Sequence, residues 1–338
     1  VREVLNENQM QLMTNPPCGG ILYLREAIAT YLKEFRGMTV LPEQIIIGAG
    51  TEYLYGLLIQ LFGKDKIYAV ENPGYRKIPQ IYKSHQVQCE YINMDDDGVN
   101  VSELEEKKAD ILHITPSHHY PTGIVMPISR RYELLSWASK GENRYIIEDD
   151  YDSELRLSGQ PIPTLQSIDV SDKVIYMNTF TKTLSSTVRI SYMVLPGHLL
   201  DQFYKKLSFY SCTVSNFEQY TLAKFIQEGY FEKHINRLRN YYHSKRDALL
   251  NAIQNSRLND HVTISGEEAG VHFLMEIKSS HKEDKLIQAA LSQGIKLAPL
   301  SEYYHVSEEA PENVYVMNYS SINENDIDEI IQKLSRCV

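Results

Sequence analysis

The stretch Asn178-Thr-Phe-Thr-Lys-Thr-Leu-Ser-Ser-Thr-Val-Arg189 places one lysine among small hydroxyl residues, with an arginine seven positions later. Apolar segments flank it at 174–177 and 190–195. A lysine at the exit of a buried strand can be desolvated and so kept nucleophilic, which bonding to an aldehyde carbon requires. Thr179, Thr181 and Arg189 are donors suited to a phosphate group. Taken alone, however, the stretch favours a surface lysine in a turn over a pyridoxal-phosphate (PLP) lysine.

Outward from this stretch, short apolar segments alternate with amphipathic helical segments. This rhythm predicts an α/β fold with a mostly parallel sheet and a ligand site along the carboxyl edge of its strands. The predicted strands lie at 44–47, 66–70, 87–92, 110–115, 145–148 and 173–177.

After Pro196 the pattern changes, with helices dominating 198–255 and a smaller α+β region following. We expect strands in that region at 262–265, 271–277, 295–297 and 314–319, and helices at 282–293 and 324–335. The predicted domains are an N-terminal segment at 1–40 that packs with the small domain, a large domain at 41–225 and a small domain at 226–338.

The composition is that of a globular protein, with 338 residues, 43% hydrophobic and 23% charged. A net charge of −10 does not indicate nucleic-acid binding by this chain itself. Four scattered cysteines without a CxxC motif favour reduced thiols. No apolar run approaches 18 residues and no secretory signal is found, so we expect a cytoplasmic protein that does not interact with membranes.

Three further motifs each allow a chemical and a plain interpretation. Gly48-Ala-Gly-Thr51 between a strand and a helix suits an anion, although a simple helix start looks the same. His118 and His119 invite a metal hypothesis, but adjacent residues do not share a helical face and no third ligand lies at suitable spacing, so no metal is expected. Asp149 and Asp150 suggest paired carboxylates, yet neighbours on a strand point opposite ways.

Together the motifs resemble fold-type-I PLP enzymes of the aminotransferase class I/II group, and most of all the C-terminal domain of MocR-type (GabR-type) bacterial transcriptional regulators. The resemblance covers essentially the whole chain and implies a seven-stranded-type large sheet plus a smaller α+β domain. Six segments carry it, in the family's order: 17–31, 48–51, 71–75, 115–123, 148–154, and 179–182 with Arg189.

The resemblance implies roles for individual residues. Lys182 would form the internal aldimine with PLP, and Asp149 would pair with the pyridine nitrogen. Tyr151 would hydrogen-bond the O3′ oxygen, and Tyr75 would stack on the ring. The residues that would hold the phosphate are Ala49, Gly50, Thr51, Thr179, Thr181 and Arg189.

Departures from the enzyme pattern concern the rest of the ligand space. Many aminotransferases have an asparagine at the position of Tyr120, where the regulators tolerate an aromatic residue. Between Arg257 and Arg336 the chain has no arginine to grip an α-carboxylate bidentately. The side chains considered as substitutes for carboxylate binding are Arg76, Lys77, His118 and His119. The glycines expected to border the ligand are Gly19 and Gly20.

Three functions follow from these features. The first is an effector-sensing domain in which an amino compound forms an external aldimine, with DNA bound only through a domain that this chain lacks. The second is a working transaminase, and the third a cofactor-free scaffold, which the intact Lys182, Asp149 and Arg189 disfavour. By analogy with the fold type we expect a homodimer. A basic winged helix-turn-helix pattern in the coding sequence upstream of Val1 would favour the sensing domain.

Overall fold

One mixed β-sheet dominates the computed structural model, which describes residues 2–7, 9–157, 162–268 and 270–338. Within those ranges it has eight strands: β1 (Ile45–Gly48), β2 (Ile67–Asn72), β3 (Gln88–Asp95), β4 (Gly98–Val99), β5 (Ile111–Ile114), β6 (Tyr145–Asp149), β7 (Val174–Thr179) and β8 (Ser191–Val194). Their spatial order is β1-β8-β7-β6-β5-β2-β3-β4.

The pairing of the sheet confirms the α/β prediction. Strands β2, β3, β5, β6 and β7 run parallel to one another. Strand β8 is antiparallel to both of its neighbours, β7 and β1. The eighth strand, beyond the expected seven, is the two-residue β4, which turns back to pair Val99 with Met94 of β3. Strands β1, β5, β6 and β7 are buried throughout, as expected for a sheet covered on both faces.

Helices cover both faces of this sheet. Within the described ranges no helix is long and apolar enough to cross a membrane. The helices are α1 (Arg2–Glu7), α2 (Gln9–Leu12), α3 (Leu22–Arg36), α4 (Thr51–Phe62), α5 (Lys77–Ser84), α6 (Val101–Glu106), α7 (Ile128–Ser139), α8 (Leu165–Ile168), α9 (Leu200–Leu207), α10 (Asn216–Gln227), α11 (Tyr230–Gln254), α12 (Glu283–Ser292) and α13 (Ile327–Leu334).

The core of the large sheet is built from these layers. One cluster joins Leu58 of α4 and Phe203 of α9 to Ile147 of the sheet. Another joins Ile28 of α3 and Leu222 of α10 to the sheet from the other side. Because helices cover both faces, the carboxyl edge of the parallel strands is left as the place for a ligand.

A second, antiparallel sheet forms the C-terminal region. Its strands are β9 (Val262–Ser265), β10 (His272–Ile277) and β11 (Val314–Asn318), in the order β11-β10-β9. The 25-residue helix α11 connects the regions, since its Phe231 packs in a large-sheet cluster and its Leu249 in the C-terminal core. The predicted boundary at 225/226 falls in the last turn of α10, before this helix begins, and stays a prediction.

The predicted strand at 295–297 is wrong. That segment has no regular secondary structure. It approaches β11 only at its end, where the Val316 N–H donates to the Ala298 carbonyl and an isolated bridge joins Pro299 to Tyr315. Pro299 has no N–H to extend a ladder, so the alternating apolar residues pack without forming a strand.

Candidate functional site

Lys182 lies in the connection between the adjacent antiparallel strands β7 and β8. The two ends of this connection are joined where the Phe180 N–H donates to the Ile190 carbonyl, at 2.9 Å. The Lys182 side chain is exposed and lines a cavity of about 380 Å³. The protein alone therefore presents the amine to open space at the sheet edge and does not enclose it.

We call this space the lysine cavity. The structure brings together around it most of the residues predicted from sequence as cofactor ligands: Gly50, Thr51, Tyr75, Tyr120, Asp149, Tyr151, Thr179, Thr181, Lys182 and Arg189. Lys77, predicted as an effector contact, also lines it. The position of these side chains is thus known, whereas their roles stay predictions.

Asp149 ends β6 at the bottom of the lysine cavity and is 5% exposed. Its Oδ2 accepts a hydrogen bond from the Tyr55 hydroxyl and lies 3.4 Å from His113 Nε2. Its Oδ1 is buried, and no hydrogen-bond partner for it is found among the described residues. Burying a carboxylate oxygen without a donor is costly in free energy. Asp149 Oδ1 is therefore available to accept a hydrogen bond from a ligand.

Asp150 faces the opposite side of the strand end, where it binds Arg36 at 2.8 Å and accepts from the Tyr176 hydroxyl at 2.6 Å. The two neighbouring carboxylates therefore do not converge on one substrate. This arrangement agrees with the expectation from strand alternation.

Another part of the cavity is lined by Tyr75, Tyr120 and Tyr151. Tyr120 shares a hydrogen bond with Tyr303 at 2.8 Å, and its ring meets that of Tyr75 edge-on at 5.9 Å. Burial raises the pKa of both Tyr120 and Tyr151, so both phenols remain protonated at neutral pH. Each can therefore donate a hydrogen bond to an anionic oxygen.

The anion-binding end combines the start of α4 with Arg189. Gly50 has φ +92°, and a Cβ built on it would lie 2.8 Å from an Arg189 guanidinium nitrogen. A side chain at position 50 would thus displace the arginine. Glu52 lies 3.6 Å from the Arg189 guanidinium and also pairs with Lys77, whose hydrogen bond is the main cause of its lowered pKa.

Besides the two histidines, four predicted residues lie away from the cavity lining. The Ala49 N–H already donates to Thr213 Oγ1 at 2.9 Å. Gly19 and Gly20 serve packing, because added Cβ atoms would lie 2.7 Å from Tyr204 and Ile47 respectively. Arg76 lines a neighbouring cavity of about 180 Å³ together with Tyr91 and His305.

The two adjacent histidines are buried and do not line the lysine cavity. His119 Nε2 lies 3.4 Å from Glu71 Oε2. Burial lowers the pKa of His119 to about 3 and raises that of Glu71 to about 8, so the two groups meet as neutral partners at pH 7. In the part of the chain that is described, no three metal-binding side chains come together.

Several residues around the site were missed at the sequence level. Tyr55 and His113 hold Asp149, and Asn318, at the end of β11, supplies an amide to the cavity. Two signals were available: Tyr55 lies one helical turn after Thr51, and His113 interrupts an otherwise apolar strand. The remaining lining residues are Glu52, Ile78, Ile81 and Thr115.

The residues present fit pyridoxal phosphate. An unpartnered Asp149 oxygen suits a protonated ring nitrogen, and donor phenols suit a phenolic oxygen. The glycine-led start of α4 beside Arg189 suits a phosphate dianion, since helix N-termini and guanidinium groups both bind phosphate. The exposed Lys182 amine suits an aldehyde carbon.

Comparison with known proteins agrees with this arrangement. The family model "Aminotransferase class I and II" matches residues 1–334. The HTH-type transcriptional regulator YdeL of Bacillus subtilis is 40% identical over 93% of this chain and 67% of its own length. The probable rhizopine catabolism regulatory protein MocR of Rhizobium meliloti is 33% identical over 92% of the chain and 62% of its own length. The chain thus spans about two thirds of the length of these regulators.

Among solved structures, Pyrococcus horikoshii kynurenine aminotransferase in complex with PMP, KYN and KYA superposes with a TM-score of 0.85. It is 28% identical, with 99% of this chain and 84% of that chain covered. Family and neighbour together support pyridoxal phosphate as the cofactor. This chain belongs to the aminotransferase class I and II family, in which it is similar to MocR-type HTH regulators.

Proposed function

We propose that this chain is the PLP-binding, effector-sensing domain of a MocR-type transcriptional regulator. Lys182 would bind the cofactor, and a small amino compound would bind in the lysine cavity as its competitor. The altered contacts then shift the domain, and with it a DNA-binding domain of the longer protein. The observation that carries the proposal is the gathering of Lys182, Asp149 and Tyr151 around one cavity in a chain that resembles regulators.

In this function PLP supplies an aldehyde carbon to which an amine can bond, and a ring that withdraws electrons when its nitrogen is protonated. Asp149 holds the proton on that nitrogen, with Tyr55 and His113 fixing the carboxylate. Gly50, Thr51 and Arg189 hold the phosphate. Tyr151 and Tyr120 donate to the phenolic oxygen.

The C-terminal sheet favours sensing over transamination of ordinary α-amino acids. Strand β11 ends at Asn318, whose amide oxygen already accepts from the Ser320 hydroxyl at 2.7 Å and the Ser320 N–H at 3.0 Å. Its NH₂ is then the group left to meet a ligand. A neutral amide binds a carboxylate more weakly than an arginine fork, so a carboxylate is not strongly selected here.

An active PLP-dependent aminotransferase acting on an amino compound is the second candidate. The favouring observation is that the residues that would bind the cofactor are complete around Lys182, with a buried carboxylate for the ring nitrogen.

The deciding experiment incubates the holoprotein with a panel of amines and a 2-oxo acid. We expect a shift of the visible absorption band without sustained product formation. Many turnovers per site would instead establish the transaminase. Binding of promoter DNA by the full-length protein, with and without the active amine, tests the regulatory half of the proposal, as does the coding sequence upstream of Val1.

The role of Asp149 gives a separate prediction. In Asp149→Asn the ring nitrogen loses its charged partner, so proton abstraction from a bound amine should fall roughly 100-fold. Cofactor affinity should fall about tenfold or less, because the phosphate and lysine contacts remain. Deuterium exchange at the amine's α-carbon, followed by NMR, measures the first quantity, and fluorescence titration with PLP the second.

The matched control is Asp150→Asn, which changes the neighbouring buried carboxylate that binds Arg36 on the other side. It should lower stability and leave exchange per folded molecule unchanged. Equal losses of exchange and affinity in Asp149→Asn would contradict its assignment to the ring nitrogen.

A further inference from the structure

A buried pair of side chains lies directly behind Tyr151. His118 Nδ1 is 2.8 Å from Asp152 Oδ2 and 3.4 Å from the Tyr151 hydroxyl. His118 and Asp152 are 3% and 4% exposed. Neither residue lines the lysine cavity, whereas Tyr151 does.

The surroundings keep this pair in place. Gly270, with φ +64°, closes over it, and a Cβ built there would lie 2.2 Å from His118 Cε1 and 2.8 Å from Asp152 Oδ2. The ring of His272 lies 4.7 Å from that of His118. The pair is therefore enclosed between the large sheet and the turn that precedes β10.

The hydrogen-bond pattern fixes the proton on His118. The short contact to a carboxylate favours a proton on Nδ1, and among the described residues Nε2 is buried without a partner to receive one. Since Nδ1 already carries a proton, it cannot accept the proton of Tyr151. Asp152 and an oxygen of the cofactor in the cavity can then both serve as acceptors for the Tyr151 hydroxyl.

The Tyr151 hydroxyl and Asp152 Oδ2 contact the same nitrogen, Nδ1 of His118, at 3.4 Å and 2.8 Å, which places the carboxylate beside the hydroxyl. Burial is the largest cause of the raised pKa of Tyr151, followed by the charge of Asp152. A phenol has one proton to donate. If that proton goes to Asp152, it is not available to an oxygen in the cavity.

We infer that Asp152 competes with the cofactor's phenolic oxygen for the single Tyr151 proton, and that His118, by donating to Asp152, sets how strongly it competes. The inference rests on the proposed function, because it takes Tyr151 as the donor to that oxygen. Asp152 and His118 are positioning residues, since they act through Tyr151. Around this cluster the ionisable groups are Tyr120, Asp149, Lys182, His119, His272, Arg36 and Arg156.

The measurement is the pH titration of the visible band of the holoprotein, which follows the proton on the nitrogen joining Lys182 to the cofactor. A donor to the neighbouring phenolic oxygen weakens the hold of that oxygen on this proton and so lowers the midpoint. Removing the donor in Tyr151→Phe should raise the midpoint by roughly one pH unit.

The two members of the pair should then move the midpoint in opposite directions. Asp152→Asn weakens the competing acceptor, frees the Tyr151 proton for the cofactor, and lowers the midpoint. His118→Leu removes the donor to Asp152, strengthens the demand of that carboxylate on the Tyr151 proton, and raises the midpoint. The double variant Tyr151→Phe/Asp152→Asn should titrate like Tyr151→Phe.

A merely structural role predicts something else, because loosening Tyr151 by any route would raise the midpoint as Tyr151→Phe does. An upward or absent shift in Asp152→Asn therefore overturns the inference. If that variant does not fold, as judged by melting of the cofactor-free protein, an absent or downward shift in His118→Leu overturns the inference equally.

Two controls separate this inference from the proposed function. Glu154→Gln changes another buried acid, which contacts Tyr31 and Asn178, and should leave the midpoint unchanged. A wild-type band that Lys182→Ala abolishes establishes the cofactor bond on its own. With that band present, a wrong sign in the variants counts against Asp152 and His118 alone, whereas its absence counts against the proposed function.

Discussion

Lys182→Ala will abolish the visible absorption band that the wild-type protein acquires on incubation with PLP. The amine of Lys182 is the nucleophile that the cavity presents to an aldehyde carbon, and alanine has none. Residual PLP should remain bound through its phosphate and ring contacts and should wash out during gel filtration. The absorption spectrum of the eluted protein measures both effects.

The matched control is Lys77→Ala, since Lys77 lines the same cavity and is paired with Glu52. This variant should keep the band at full height. A colourless wild type after PLP incubation, or a band that survives in Lys182→Ala, would refute the assignment of the cofactor lysine.

Arg131→Met will lower the free energy of unfolding by about 3–5 kcal/mol. The Arg131 side chain is fully buried and donates to the carbonyls of Pro116, Met126 and Pro163. Its guanidinium also lies 3.6 Å from Glu148, which is equally buried. Methionine fills similar volume but leaves these carbonyls and the carboxyl group without their partner.

Urea denaturation followed by circular dichroism measures this loss. Arg144→Met is the control, because Arg144 pairs bidentately with the half-exposed Glu105 and should cost about 1 kcal/mol or less. Equal losses in the two variants would show that burial does not set the contribution of Arg131.

The parts of the site at strand ends could be predicted from the sequence. Parallel strands place their carboxyl-end residues at one edge of the sheet, and this holds without knowledge of the side-chain packing. Asp149 ends β6 and Lys182 follows β7, two strands of the parallel run, and Thr51 starts the helix after β1. Periodicity therefore placed them near one another. The parallel strands of the large sheet needed only the alternation of apolar and amphipathic segments, whereas the two-residue β4 was not predicted.

What escaped prediction depends on side chains that meet across long sequence distances. Tyr55 lies on a helix and contacts Asp149 from 94 residues earlier in the chain. His113 contacts Asp149 from β5, the neighbouring strand of the sheet. Asn318 enters the cavity from a different sheet. No spacing rule relates such positions, because the packing of whole elements sets their contacts. For the same reason the sequence did not show that Gly19 and Gly20 are closely packed, or that the Ala49 N–H donates to Thr213 Oγ1.

Lys182 and Arg189 belong to one short connection whose ends are tied together by the Phe180–Ile190 backbone bond. The amine that would release the cofactor and the guanidinium that would retain it are thus carried on the same short connection. Under the proposed function, an incoming amine would displace the lysine while Arg189 still holds the phosphate. One ligand amine would then exchange for another without loss of the cofactor, so the response would be reversible within a single loaded molecule.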